Sequence, residues 1–93
     1  MTTKTYVPCR VLPGFFESEY YVVLKDGSAY VVDKANVKVR RAPEGGGEGE
    51  GKVLAYLIED MPEGALVELT GEPVGGGLRT WVPKEDLEYV AAA

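Results

Sequence analysis

The sequence predicts an all-β fold in which two β-repeats pack into one body with pseudo-twofold symmetry. Short runs along the chain alternate apolar and polar side chains, the period of a half-buried strand, and Gly and Pro punctuate them. Two of these runs flank Asp26-Gly27, a strong hairpin signal because both central positions tolerate positive φ. Finally, Trp81-Val82-Pro83-Lys84-Glu85-Asp86-Leu87-Glu88-Tyr89-Val90 has a degraded copy at Val31-Val32-Asp33-Lys34-Ala35-Asn36-Val37-Lys38-Val39. Both stretches read as strand, tight turn, strand.

Taken in order, Tyr6 to Leu12 reads as a first strand with Val7, Cys9 and Val11 on one face and Arg10 on the other. Pro13-Gly14 ends it, and Phe15 to Glu19 forms a protruding loop of aromatics and acids. Tyr20 to Leu24 is so rich in aromatic and β-branched residues that both faces are expected to be partly covered. Ala29 to Val32 returns from the Lys25-Asp26-Gly27-Ser28 hairpin, a single 3-10 turn follows near residues 33–36, and Val37 to Val39 leaves it as a short strand.

Ala42 to Gly51 reads as a linker or mobile loop with no strand in it, because glycines forfeit backbone entropy and bring no side chains to bury. Interleaved acids and the absence of a following helix exclude a phosphate-binding loop. Glu44, Glu48 and Glu50 do not have the spacing of an EF-hand. Beyond it, Lys52 to Glu59 is a strand, Met61-Pro62-Glu63-Gly64 a turn, Ala65 to Leu69 a strand and Thr70 to Gly77 a loop. Leu78 to Val82 is the return strand, and a second 3-10 turn falls near residues 83–86. The organisation is a first repeat at 1–41, a Gly/Glu-rich linker at 42–51 and a second repeat at 52–93, together in one compact domain.

The repeat aligns Tyr20-Tyr21-Val22-Val23-Leu24 with Ala65-Leu66-Val67-Glu68-Leu69 at an offset of 45, and Val32, Lys34 and Val37 with Val82, Lys84 and Leu87 at an offset of 50. Val11-Leu12 falls on Tyr56-Leu57. Units of about 40 residues bury too little surface to fold alone without metals or disulfides, so neither half is expected to be stable by itself.

The stretch Trp81-Val82-Pro83-Lys84-Glu85-Asp86-Leu87 resembles the end of SH3-like barrels, where a strand runs through a proline into a one-turn 3-10 helix and out to the last strand. The resemblance implies a small barrel. Peptide-binding members place a tyrosine in that turn, and here Asp86 and, in the first copy, Asn36 stand in the slot. The resemblance therefore does not carry over the binding of proline-rich peptides.

Composition narrows the chemistry. Cys9 is the single cysteine, which excludes an intrachain disulfide and a cysteine-based zinc cluster, and its apolar neighbours make it an expected buried thiol. Histidine is absent, and with it the usual acid–base residue near neutral pH and the commonest metal ligand. Ser18 and Ser28 have no His partner, and Lys25 in the hairpin is expected to stay protonated and to be a poor base. No catalytic residue, metal site or cofactor is expected, and the chain is read as not an enzyme. Without an apolar run of roughly 20 residues there is no membrane helix, and Met1 to Thr5 is not backed by an apolar signal core, so a cytoplasmic location is expected. The lack of Gln and the single Asn36 suggest a thermophilic source.

Charge is uneven. Residues 1–41 carry seven Lys/Arg against four Asp/Glu, or +3, whereas residues 42–93 carry three against eleven, or −8. Opposite signs on the two halves favour their docking. Aromatic residues exceed what one barrel face needs, and Phe15, Phe16, Tyr21 and Trp81 are the candidate interaction surface. Lys34, Lys38, Arg40 and Arg41 form a candidate basic patch. The reading that follows is a non-enzymatic protein-interaction or assembly module, acting on a protein partner or as a homo-oligomer through the aromatics and an open strand edge. The alternative is a small barrel that binds nucleic acid through the basic patch.

Overall fold

A computed structural model describes residues 2–90. The strands are β1 (Thr3–Pro13), β2 (Glu19–Leu24), β3 (Ala29–Asp33), β4 (Val37–Arg41), β5 (Gly49–Met61), β6 (Gly64–Leu69), β7 (Glu72–Gly75), β8 (Arg79–Val82) and β9 (Glu88–Tyr89), with single 3-10 turns at Lys34–Asn36 and Lys84–Asp86. They form one antiparallel sheet ordered β7-β3-β2-β1-β5-β6-β8, with β4 added to β5 and β9 added to β1. The sheet curls into an all-β, half-open barrel, and both 3-10 turns lie where the sequence places them.

Its spine is the β1–β5 pair, in register over nine positions from Thr3↔Leu57 to Val11↔Gly49. Each spine strand divides its other edge between the two halves of the chain. On β1, Cys9 to Pro13 pairs with β2 while Thr5 and Tyr6 pair with β9. On β5, Ala55 to Met61 pairs with β6 while Glu50 to Val53 pairs with β4. Each half thus gives its last strand to the long strand of the other. Val22↔Tyr30 and Val67↔Thr80 fall at matching positions under the offsets of 45 and 50, whereas Cys9↔Leu24 and Ala55↔Leu69 match only with Cys9 on Ala55, which sets Val11 on Leu57 and not on the expected Tyr56.

Alternation places the core. Val7, Cys9 and Val11 of β1 are buried with Val22 and Leu24 of β2, Tyr30 and Val32 of β3, Val53 and Ala55 of β5, Ala65, Val67 and Leu69 of β6, and Val82 of β8, all in one cluster. Arg10, on the opposite face of β1, is exposed, as the alternation predicts.

Two sequence expectations are corrected. The linker expected at 42–51 ends before Gly49, because Gly49 to Gly51 is the start of β5. The entropic cost of glycine is outweighed there by close backbone approach: β4 runs so near β5 that a Cβ on Gly51 would lie 2.5 Å from the Lys38 carbonyl, and one on Gly49 would run into the Arg41 carbonyl. The loop expected from Thr70 to Gly77 contains β7, which crosses from the second half to pair with β3 at Ala29↔Gly75 and Val31↔Glu72. Gly71 opens the way, since a Cβ there would strike the Val31 carbonyl.

Candidate binding groove

The arrangement of β2, β1, β5 and β4 side by side makes a groove of about 540 Å³, lined by Pro8, Cys9 and Arg10 of β1, Val23 and Leu24 of β2 with the adjoining Lys25, Lys38 to Arg40 of β4, Glu50 to Lys52 of β5, and Glu88 of β9. Its volume lies in the range of specific binding sites, and its lining combines apolar side chains with a few charged ones. Five cations, Arg10, Lys25, Lys38, Arg40 and Lys52, face two carboxylates, Glu50 and Glu88.

Those cations are held by acids of the second half. Arg10 Nη1 lies 3.3 Å from Glu48 Oε1 and Lys25 Nζ 3.0 Å from Asp86 Oδ2. Lys52 Nζ and Lys38 Nζ lie 3.4 and 4.0 Å from the same oxygen of Glu88. Arg40 and Arg41 both approach Glu50, at 3.8 and 3.6 Å. Of eight ion pairs among the described residues, these include five that join residues 1–41 to residues 42–93, so the charge asymmetry serves the docking of the halves. The pairs are exposed, and each is worth well under about 1 kcal/mol. Their geometry therefore yields readily to a competing charge.

The candidate basic patch is divided by the fold. Lys38 and Arg40 line the groove, with Lys38 Nζ also 4.3 Å from the centre of the Tyr6 ring. Arg41 donates to the Glu48 carbonyl at 3.3 Å. Lys34 lies elsewhere, over the Tyr20 ring at 4.8 Å and beside Phe15 and Phe16. The candidate aromatic surface is divided as well. Phe15 and Phe16 are 83% and 70% exposed, in the loop whose Phe16 carbonyl accepts from the Glu19 amide. Trp81, 52% exposed, flanks a small crevice with Leu24, Lys25 and Asp26. These sites lie at opposite ends of β2, which at 3.3 Å per residue separates them by roughly 17 Å. Tyr21 pairs with Leu12 and Val31 in mid-strand and is partly buried.

Sequence reasoning missed Arg10, Lys25 and Lys52 as groove residues. The signal for Arg10 was present, since it alternates outward from the buried Cys9; what brings it beside Lys52 and Lys38 is the pairing of Pro8↔Lys52 and Lys52↔Lys38, which no local pattern encodes.

Cys9 contributes no nucleophile. Burial pushes its thiol up to about 12, so it is protonated at neutral pH. No group of His, Cys, Asp and Glu among the described residues is arranged to hold a metal ion, and no helix there is long and apolar enough to cross a membrane. Compared with known proteins, the chain matches no family model, no curated protein and no solved structure.

Proposed function

We propose that this chain is a non-enzymatic protein-interaction module, of cytoplasmic location, that docks an extended acidic segment of a partner protein in the groove between β2 and β4. The single observation that carries this reading is the groove itself, an apolar trough of Pro8, Val23, Leu24 and Val39 rimmed by five cations against two carboxylates. Exposed partners such as Glu48 and Glu50 exchange readily for the carboxylates of a bound segment, while the trough takes its apolar side chains. The protonated Cys9 thiol and the absence of histidine support a role without catalysis.

Nucleic acid is the weaker reading. Single strands need stacking platforms beside their phosphate contacts, and the exposed aromatics Phe15, Phe16 and Trp81 lie outside the groove. The corresponding strand pairings of the two halves support a further part of the proposal, that the chain arose by internal duplication.

The test is chemical-shift mapping with a peptide that alternates Glu and Leu, alongside a mobility-shift assay with a single-stranded oligonucleotide at low salt. Peptide-induced shifts confined to Arg10, Val23, Lys38, Arg40 and Lys52, weakened at least tenfold by Lys38→Glu, support the reading. Shifts elsewhere, or oligonucleotide binding that falls steeply with salt, overturn it.

A further inference from the structure

Among the described residues four strands carry a single neighbour: β4, β7, β8 and β9. Three of the free edges are blunted. The edge on β4 bears Lys38, Arg40 and Arg41 and is broken by a register shift between Val39 and Arg41, the one on β7 carries Glu72 and Pro73, and β9 has two residues. By contrast β8, Arg79-Thr80-Trp81-Val82, is a regular strand with one aromatic and two β-branched residues and an edge that no described strand pairs.

The hydrogen-bond register shows which groups that edge offers. Leu69 N donates to Leu78 O at 3.1 Å, so the pairs that follow at spacings of two, Val67↔Thr80 and Ala65↔Val82, are of the hydrogen-bonded kind. Thr80 and Val82 therefore turn their backbone groups to β6, and Arg79 and Trp81 turn theirs away from it. Pro83, next in that outward register, has no N–H and closes the edge. In the first half the equivalent edge is β3, where Ala29 and Val31 face outward and are covered by β7. The connection over residues 70–78 is long enough to supply β7, but the Lys25-Asp26-Gly27-Ser28 hairpin is too short to return the cover and reaches β8 through a side chain, Asp26.

We propose that the β8 edge is completed by the β8 edge of a second copy of this chain, in an antiparallel two-fold pairing centred on Thr80. That register sets Arg79 of one protomer directly opposite Trp81 of the other, twice. Both residues project from the same face of the strand, so each guanidinium meets an indole across the seam, an arrangement that is its own complement. Trp81 is exposed and lies beside Gly64, where a Cβ would be 4.0 Å from its ring. On the same face, Leu66 is paired with Trp81 and is partly buried. The two-fold makes these patches continuous through the sheet. Charge favours a copy over an acidic segment here, because Glu68 already neutralises Arg79 at 3.0 Å and leaves the indole face for a cation.

The inference is independent of the groove, which can be assayed in a monomeric variant. Sedimentation velocity is run on the wild type, Arg79→Pro, Trp81→Glu and the exchanged double variant Arg79→Trp/Trp81→Arg, each checked by circular dichroism. Proline at 79 removes an outward amide that no described strand uses, together with the guanidinium and its pairing with Glu68. A wild-type chain that dimerises below about 1 mM, single variants at least tenfold weaker, and recovery in the exchanged variant, where indole and guanidinium again stand opposite each other across the seam, support the pairing. A wild type that stays monomeric to that concentration overturns it. So does a dimer unaffected by Arg79→Pro.

Discussion

Asp26 Oδ2 accepts a hydrogen bond from Thr80 Oγ1 at 2.6 Å, and this bond ties the hairpin of the first half to β8 of the second. Across the same seam, Tyr30 Oη donates to the Gly77 carbonyl at 2.7 Å, so each half's hairpin region is held by a strand of the other. Burial pushes the Asp26 carboxyl up, but the Thr80 hydroxyl and the Ser28 amide together outweigh it and hold the group below its ordinary value. A lowered carboxylate stabilises the fold at pH above its unfolded value of about 3.9, and that contribution is lost as pH falls through the lower folded value. Thr80→Val should cost about 0.5–1 kcal/mol at neutral pH, below the usual range for a hydrogen bond to a charged group because the pair is exposed to water. The difference from wild type should shrink as pH falls through the lowered carboxyl value of the folded state, as thermal melts between pH 2 and 7 would report.

Gly51 is a position where a methyl group would press on both the neighbouring strand and the core. A Cβ would meet the Lys38 carbonyl at 2.5 Å and Val11 Cγ2 at 3.2 Å, one from backbone and the other from the core. Gly51→Ala should destabilise by about 1–3 kcal/mol, as overpacking does, and release β4 from β5. Gly27→Ala meets nothing within 4 Å, yet φ is +89° there, so its cost is conformational, near about 1 kcal/mol. Urea midpoints should rank the two in that order.

How much of this was legible in the chain follows from range. The faces of β1 and β6 and both 3-10 turns came from local alternation and from Asp33 and Pro83 at the turn entries, where Asp33 Oδ1 accepts from the Ala35 amide at 2.9 Å. Gly49 and Gly51 were misread because glycine signals both disorder and close approach, and only the presence of β4 decides between them. β7 was missed because Glu72-Pro73-Val74-Gly75 has no strand pattern of its own and is extended by its pairing to β3. The groove was half visible, through Lys38 and Arg40; the Pro8↔Lys52↔Lys38 row that completes it is long-range. The basic patch and the aromatic surface were grouped by type rather than by place, and the two ends of β2 separate their members.

The exchange of last strands makes the halves interdependent. Residues 48–93 alone would leave the β4 and β1 edges of β5 unpaired and would expose Val53 and Ala55, which are fully buried in the whole chain. That fragment should show no cooperative melt by circular dichroism. Mixing it with residues 2–44 should restore strand signal, because nine β1–β5 positions and five ion pairs reassemble across the cut.

Cys9 reports on opening of the groove. With its thiol pushed up to about 12 by burial, the thiolate fraction at pH 8 is smaller than in an unfolded chain, where the group titrates near 8.5, by roughly three orders of magnitude. Because the folded value is raised, the native state holds the proton longer, and its stability should fall as pH climbs from about 8.5 toward 12. A thiol reagent at pH 8 should therefore label Cys9 at the rate of local unfolding, slow in the wild type and faster in Gly51→Ala, whose β4 is loosened beside it. Addition of denaturant should raise the rate to that of a free thiol. Prompt labelling of the native wild-type chain would show that β1 opens next to Cys9 without loss of the fold.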